Sequence, residues 1–241
     1  MPDRPSISVI IPVYNEERTI PMILEVFRSW GKASEIIVVD DGSTDQTKKA
    51  IAQFLPDIRL ISYKKNRGKG YALGKGIESS RGEMLVLFDG DVFGLTQRDL
   101  DLLVQPMIRG SSDMVIGLVR FWSMGSYSPF DDLSGERVVL RSQIAPYTKA
   151  MRRLGYGVEL FLNDRYKHKR VTRVKLPFVS ILRKVDKQSV PLAVQTYLRE
   201  TKDLMAQYMK QQARDGSAHV KPILRQIQAY LKTAFDYLQL E

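Results

Sequence analysis

Short runs of consecutive apolar residues alternate, through the first half of the chain, with segments whose apolar residues recur every three or four positions. The runs at 7–13 (ISVIIPV), 35–39 (EIIVV) and 84–88 (MLVLF) have the length and β-branched content of buried strands, and 58–63 and 114–118 read as further strands. Between them, 16–30 places Ile20, Ile23, Leu24 and Phe27 at helical spacing, 68–80 opens a helix through glycines, and 100–108 is a further helix. Strands alternating with helices predict an α/β fold, a mostly parallel sheet with helices on both faces. Polar clusters at 12–16, 40–45 and 89–91 each follow a strand. Ligands bind beyond the carboxyl ends of such strands, so the three clusters are expected on one rim.

Beyond residue 120 the pattern is less regular. Residues 121–132, rich in Gly, Ser, Pro and aromatics, read as a loop, and 171–176 reads as a strand. From Val190 two amphipathic helices are expected, broken near Asp215, Gly216 and Ser217. The second aligns Val220, Ile223, Leu224, Ile227, Leu231, Phe235 and Leu238 on one stripe. The expected division is a catalytic domain over 1–188, with a nucleotide half (1–120) and an acceptor half (121–188), followed by a helical extension over 189–241. That stripe suits core packing, pairing of two copies as a homodimer, or a bilayer surface. No run of about 18 apolar residues occurs, so no membrane-spanning helix is expected.

Composition narrows the chemistry. Cysteine is absent, which excludes disulfides, thiolate metal sites and thiol catalysis, and suits a reducing, cytoplasmic setting. The formal net charge is +10. Residues 1–110 hold 15 basic and 15 acidic residues, whereas 149–187 hold 12 basic and 3 acidic. The excess is therefore one block, suited to phosphate or an anionic surface.

The sharpest chemical signal is Asp89-Gly90-Asp91 directly after a buried strand. Two carboxylates spaced i, i+2 can share Mg²⁺ or Mn²⁺ with a diphosphate, and the cation then neutralises a departing nucleoside diphosphate. Asp40 and Asp41 can accept hydrogen bonds from a base or ribose, with Ser43, Thr44 or Asp45 capping the next helix. Asn66-Arg67-Gly68-Lys69-Gly70 offers backbone N–H groups and cations for phosphate. It is neither a Walker A loop nor the dinucleotide fingerprint, which argues against a P-loop NTPase and an NAD enzyme. Glu159 is a carboxylate within the basic block, placed to act as a general base, to orient an acceptor hydroxyl, or to pair with a cation. His168 lies in a basic run and reads as a surface residue.

Taken together, Ile10-Ile-Pro-Val-Tyr-Asn-Glu-Glu17, Val38-Val-Asp-Asp-Gly-Ser-Thr-Asp45, Asn66-Arg-Gly-Lys-Gly70 and Phe88-Asp-Gly-Asp91 resemble family 2 glycosyltransferases of the GT-A fold. The resemblance is dense over residues 6–120, and leans toward polyprenyl-phosphate sugar synthases and glucosyl-3-phosphoglycerate-synthase-like enzymes. It implies that Pro12, Tyr14, Asn15 and Glu16 line the base and ribose, that Asp41 bonds the base, and that Lys69 sits near phosphate. Asp89 and Asp91, flanking Gly90, would hold the metal. Leu133-Ser-Gly-Glu-Arg137 and Gly155-Tyr-Gly-Val-Glu159 resemble acceptor-side motifs. By that likeness Ser134, Gly135 and Glu136 bind the acceptor, and Asp91, Glu159, Arg120 and Arg137 form the catalytic set. The Gln-x-x-Arg-Trp motif of processive polysaccharide synthases is absent, as is the Glu-Asp pair that often marks the base of inverting members.

The resulting expectation is transfer of a sugar from a UDP- or GDP-sugar to a phosphate-bearing acceptor, polyprenyl phosphate at the inner face of a membrane. A small acceptor such as phosphoglycerate, a sugar nucleotidyltransferase, and a non-catalytic module for anionic surfaces remain the alternatives. No nucleic-acid partner is expected.

Overall fold

The sheet is built outward from β1 (Ile7–Val13), all seven of whose residues are buried. In the computed structural model, which describes residues 5–121, 133–181, 203, 205, 206 and 209, β1 runs parallel to β2 (Glu35–Asp40) on one side and β4 (Met84–Leu87) on the other. Beyond β2 lies β3 (Arg59–Ser62), also parallel. Four later strands complete the sheet: β5 (Val92–Phe93), β6 (Met114–Phe121), β7 (Arg137–Leu140) and β8 (Val171–Ile181). The order is β3-β2-β1-β4-β7-β6-β8-β5. β7 is antiparallel to both neighbours, so β6 again points the same way as β4, and β8 runs parallel to β6. The expected α/β fold with a mostly parallel sheet is therefore present.

Alternation along β1 sends its side chains into two layers. Ile7, Val9, Ile11 and Val13 join Ile20, Ile23, Leu24 and Phe27 of α1 (Ile20–Trp30), together with residues of α2 (Thr47–Ala52) and α4 (Gln97–Ile108). Ile10 faces the other way, onto Leu73 and Ile77 of α3 (Lys69–Ser79). That second layer continues through α5 (Arg141–Ile144), α6 (Thr148–Met151) and α7 (Val158–Tyr166).

Several boundaries differ from the sequence reading, each for a local reason. The helix expected from residue 16 begins at Ile20 because 14–19 forms the rim loop. α4 begins at Gln97 because Thr96 and Asp99 form a reciprocal cap: the Thr96 hydroxyl accepts from the Asp99 N–H, and the Asp99 carboxylate accepts from the Thr96 N–H. At α2, Asp45 accepts from the Thr47 N–H at 3.0 Å, while Ser43 turns away to accept from Asn15. The loop expected over 121–132 lies outside the described residues except for Phe121, which ends β6. The apolar stripe from 220 to 238 lies outside them altogether. Among the described residues, no helix is long and apolar enough to cross a membrane.

Glycines let α3 approach its neighbours closely. A Cβ on Gly74 would lie 2.9 Å from Arg152 Cγ and 3.0 Å from the Thr148 carbonyl, and one on Gly76 would overlap Ile10. Substituting Gly76 with Ala should therefore lower stability by about 1–3 kcal/mol despite the better helix propensity of Ala. Urea unfolding should show a lower midpoint at an unchanged slope.

Candidate active site

The loops that follow β1 and β2 are stitched together before any ligand arrives. Asn15 adopts φ 58°, and among the described residues no other non-glycine has a positive value. Its side-chain oxygen accepts from the Thr44 N–H at 2.8 Å and its own N–H donates to Ser43 Oγ at 3.0 Å. The Glu16 N–H donates to Thr47 Oγ1 at 2.8 Å. Asp40, fully buried, accepts from the Ser43 N–H and the Ser62 hydroxyl. Asp41, also buried, accepts from the N–H groups of Arg67 at 2.9 Å and Gly68 at 2.7 Å. It thereby ties the 66–68 loop and the start of α3 to the end of β2. Pro12 lies in the buried end of β1, and Tyr14, just past Val13, is exposed at the rim.

One ammonium group joins three distant elements. Lys69, at the start of α3, places Nζ 2.7 Å from the carboxylate of Asp89 and 2.6 Å from that of Glu159. Asp89 follows β4, and Glu159 lies in the first turn of α7. Burial alone would depress the Lys69 pKa, but Asp89 and then Glu159 more than offset it, and the ammonium is held well above its ordinary range. Glu159 is pushed up by its own burial, against the pull of Lys69. Gly90 is fastened to the β1 loop: its carbonyl accepts from Thr19 Oγ1 at 2.6 Å, and a Cβ on it would lie 2.7 Å from Val13 and 3.2 Å from the Pro12 carbonyl. Gly135 lies so close to the Asp89 carboxylate that any side chain there would collide with it.

The segment 134–137 forms the wall opposite. Ser134 Oγ stands 2.5 Å from both the Gly117 carbonyl and Glu136 Oε2. One hydroxyl hydrogen can serve only one of these acceptors, so a proton on Glu136 completes the arrangement. Burial, reinforced by the charges of Asp89 and Asp91, raises the Glu136 pKa to about 8. Its Oε1 has no hydrogen-bond partner among the described residues. Arg137 is buried; Nε donates to the Ser134 carbonyl at 2.9 Å and Nη1 to Asn163 Oδ1 at 2.7 Å. Arg120 pairs its backbone with Ser180 in β6 and β8, and its side chain lies outside the described residues.

Asp41, Lys69, Asp89, Gly90, Gly135 and Glu159, singled out separately in the sequence, thus meet at the carboxyl ends of the strands, with Pro12 and Glu16 beside Gly90. Two contributors had no sequence signal. Thr19 is merely the last of the polar run 15–19 before a helix, and Asn163 is a polar residue inside one. Among the described residues no group of three or more His, Asp or Glu side chains is placed to hold a metal by itself. Asp89 and Asp91 supply two hard oxygen donors, which fits Mg²⁺ or Mn²⁺ sharing its shell with phosphate. Asp89, Asp91, Glu136 and Glu159 carry more potential negative charge than Lys69 and Arg137 cancel, so a further cation suits the site.

The model of glycosyl transferase family 2 matches residues 8–171. Human dolichyl-phosphate beta-glucosyltransferase is 39% identical over 99 residues, covering 35% of this chain and 31% of that protein. Undecaprenyl-phosphate 4-deoxy-4-formamido-L-arabinose transferase of Pectobacterium carotovorum is 32% identical over 126 residues, covering 49% of this chain and 38% of the relative. These matches span about a third of the relatives' own length. Glucosyl-3-phosphoglycerate synthase from Mycobacterium tuberculosis, solved with Mn²⁺, UDP and phosphoglyceric acid, superposes with a TM-score of 0.66. It is 24% identical and covers 90% of this chain and 80% of that one.

The proton on Glu136 has a measurable consequence. With its folded-state pKa raised from 4.5 to about 8, the folded protein keeps a proton that the unfolded chain releases. Its contribution to stability is full below about pH 4.5 and is lost as pH rises toward 8. Denaturation of the metal-free protein should show wild type losing stability between pH 5 and 8 relative to Glu136→Gln, whose amide can donate to Ser134 at any pH.

Proposed function

Because the chain belongs to glycosyl transferase family 2, we propose that it moves a hexosyl group from a UDP- or GDP-linked sugar to polyprenyl phosphate. The observation that carries this reading is the meeting of Lys69, Asp89 and Glu159 on the rim that also holds Asp41 and the 12–16 loop. In this reading Pro12, Tyr14, Asn15 and Glu16 receive the base and ribose, with Asp41 at the base. Lys69 stands where the diphosphate would lie. Its ammonium, kept protonated by two carboxylates, supplies a fixed positive charge to the leaving group. Asp89 and Asp91 would hold Mg²⁺ or Mn²⁺, which when bound supplies Lewis-acid stabilisation of the departing diphosphate.

The acceptor follows from charge. A phosphate monoester is largely ionised at neutral pH, with a second pKa of about 6, so its oxygen attacks without a general base. Glu159, bonded to Lys69, then serves to orient that ammonium. Ser134, Gly135 and Glu136 form the wall behind Asp89, which Arg137 braces from within. Arg120 and the basic residues of 149–187 supply the field that draws in a phosphate. The named relatives act on dolichyl and undecaprenyl phosphates, which supports a lipid-linked acceptor. A peripheral position at the inner face of a bilayer, with the 189–241 extension against it, accords with that substrate.

A thermal-shift screen of UDP- and GDP-sugars should find one that raises the unfolding transition only when Mn²⁺ or Mg²⁺ is present. The same donor should label a polyprenyl phosphate presented in detergent and release nucleoside diphosphate. Acceptance of 3-phosphoglycerate in place of polyprenyl phosphate would overturn the acceptor, and pyrophosphate as product would overturn the reaction. Asp91→Ala should lower kcat by roughly 10²-fold or more while the fold, followed by far-UV circular dichroism, is kept.

A further inference from the structure

Gly155 stands where three segments cross. Its φ of 52° is left-handed. On one side it touches the start of α3: a Cβ on Gly70 would lie 3.1 Å from the Gly155 carbonyl oxygen and 3.2 Å from its nitrogen, and one on Gly68 would lie 3.4 Å from its Cα. On the other side stands Asp203, whose carboxylate occupies the space a Gly155 side chain would need. Asp203 Oδ2 also accepts from the Tyr156 N–H at 3.2 Å. Residue 203 is helical and 47 positions further along the chain.

The two segments that meet at Gly155 are the same two that meet at the ion pair. Lys69 lies between Gly68 and Gly70, and Glu159 lies just beyond the 155–157 turn, in the first turn of α7. Asp203 therefore closes, from behind, a contact whose front is the Lys69–Glu159 bridge. We propose that Asp203 is a positioning residue through which the C-terminal segment holds Lys69 and Glu159 in register for donor binding. This rests on the reading of Lys69 as the diphosphate-binding cation. Without the carboxylate the Tyr156 N–H no longer donates to residue 203 and the turn loses that backing. Glu159 then shifts with the start of α7, and Lys69 relaxes toward Asp89 alone. Displacements of about 1 Å at such groups can cost up to about 10²-fold in rate.

The test compares Asp203→Ala with Asp203→Asn, whose amide oxygen still accepts from Tyr156. Two readouts are used: steady-state kinetics with the donor found above, and amide hydrogen exchange. Asp203→Ala should lower kcat roughly tenfold with the acceptor KM unchanged, and Asp203→Asn should stay within about twofold of wild type. In Asp203→Ala, exchange should quicken over 68–72 and 155–160 while β1, β2 and β4 keep their protection. Wild-type kcat in Asp203→Ala, equal impairment in both variants, or a uniform rise in exchange across the sheet would each overturn the proposal. Failure of the wild-type protein to turn over any donor would instead count against the transferase reading. Exchange at 68–72 and 155–160 would still decide the positioning role.

Discussion

The molecule is organised around an ammonium group shared by two carboxylates. Lys69, Asp89 and Glu159 come from the start of α3, the end of β4 and the start of α7, and no two are neighbours in sequence. Gathering such charges out of water carries a desolvation cost of several kcal/mol per ion, repaid only when geometry and extra hydrogen bonds are good. The cost is borne by the apolar layers on both sheet faces, which set where each strand and helix ends. The arrangement remains unbalanced, because one ammonium faces Asp89 and Glu159, with Asp91 and a proton-holding Glu136 close by. A site with surplus negative charge favours a cation, and a cation beside an ammonium favours a diphosphate.

Glycine makes that crowding possible. Gly135 leaves room for the Asp89 carboxylate, and Gly90 lets the loop after β4 lie on Pro12 and Val13. Gly68 and Gly70 bring the backbone around Lys69 against the turn that leads to Glu159. The motif glycines thus serve contact between backbones as much as contact with a ligand. Arg137 illustrates the same economy: buried, with its guanidinium on the Ser134 carbonyl and Asn163, it stabilises the wall behind the carboxylates.

The central strands were legible in the sequence because β1, β2 and β4 are buried on both faces and read as nearly continuous apolar runs. β5 is only two residues long, and β7 offers just Val138, Val139 and Leu140 between two arginines, so neither stands out from its surroundings. α7 buries Val158, Glu159, Leu160, Phe161 and Leu162 in succession, so it shows no one-sided stripe. The motif carboxylates could be placed after strands by pattern alone. That Asp41 would spend both oxygens on the N–H groups of Arg67 and Gly68 depended on where α3 docks. The partnership of Glu159 with Lys69, and the burial of Arg137, likewise depend on the packing of α7 against α3 and β7.

The connection from β4 to β5 is short for the width of sheet it crosses. β4 lies in the interior of the sheet and β5 at its far edge, with β7, β6 and β8 between them. Only residues 88–91 join the two. Four interstrand spacings amount to about 19 Å on a flat sheet, whereas the chain from Leu87 to Val92 reaches about 17 Å when fully extended. The sheet must therefore curl inward, and the Asp-Gly-Asp segment, which turns at Gly90 and Asp91, crosses its end. Thr19 holds this crossing at the Gly90 carbonyl, next to Asp91. So short a connection couples the far edge of the sheet to the site directly: any shift of β8 and β5 would be felt at Asp89 and Asp91.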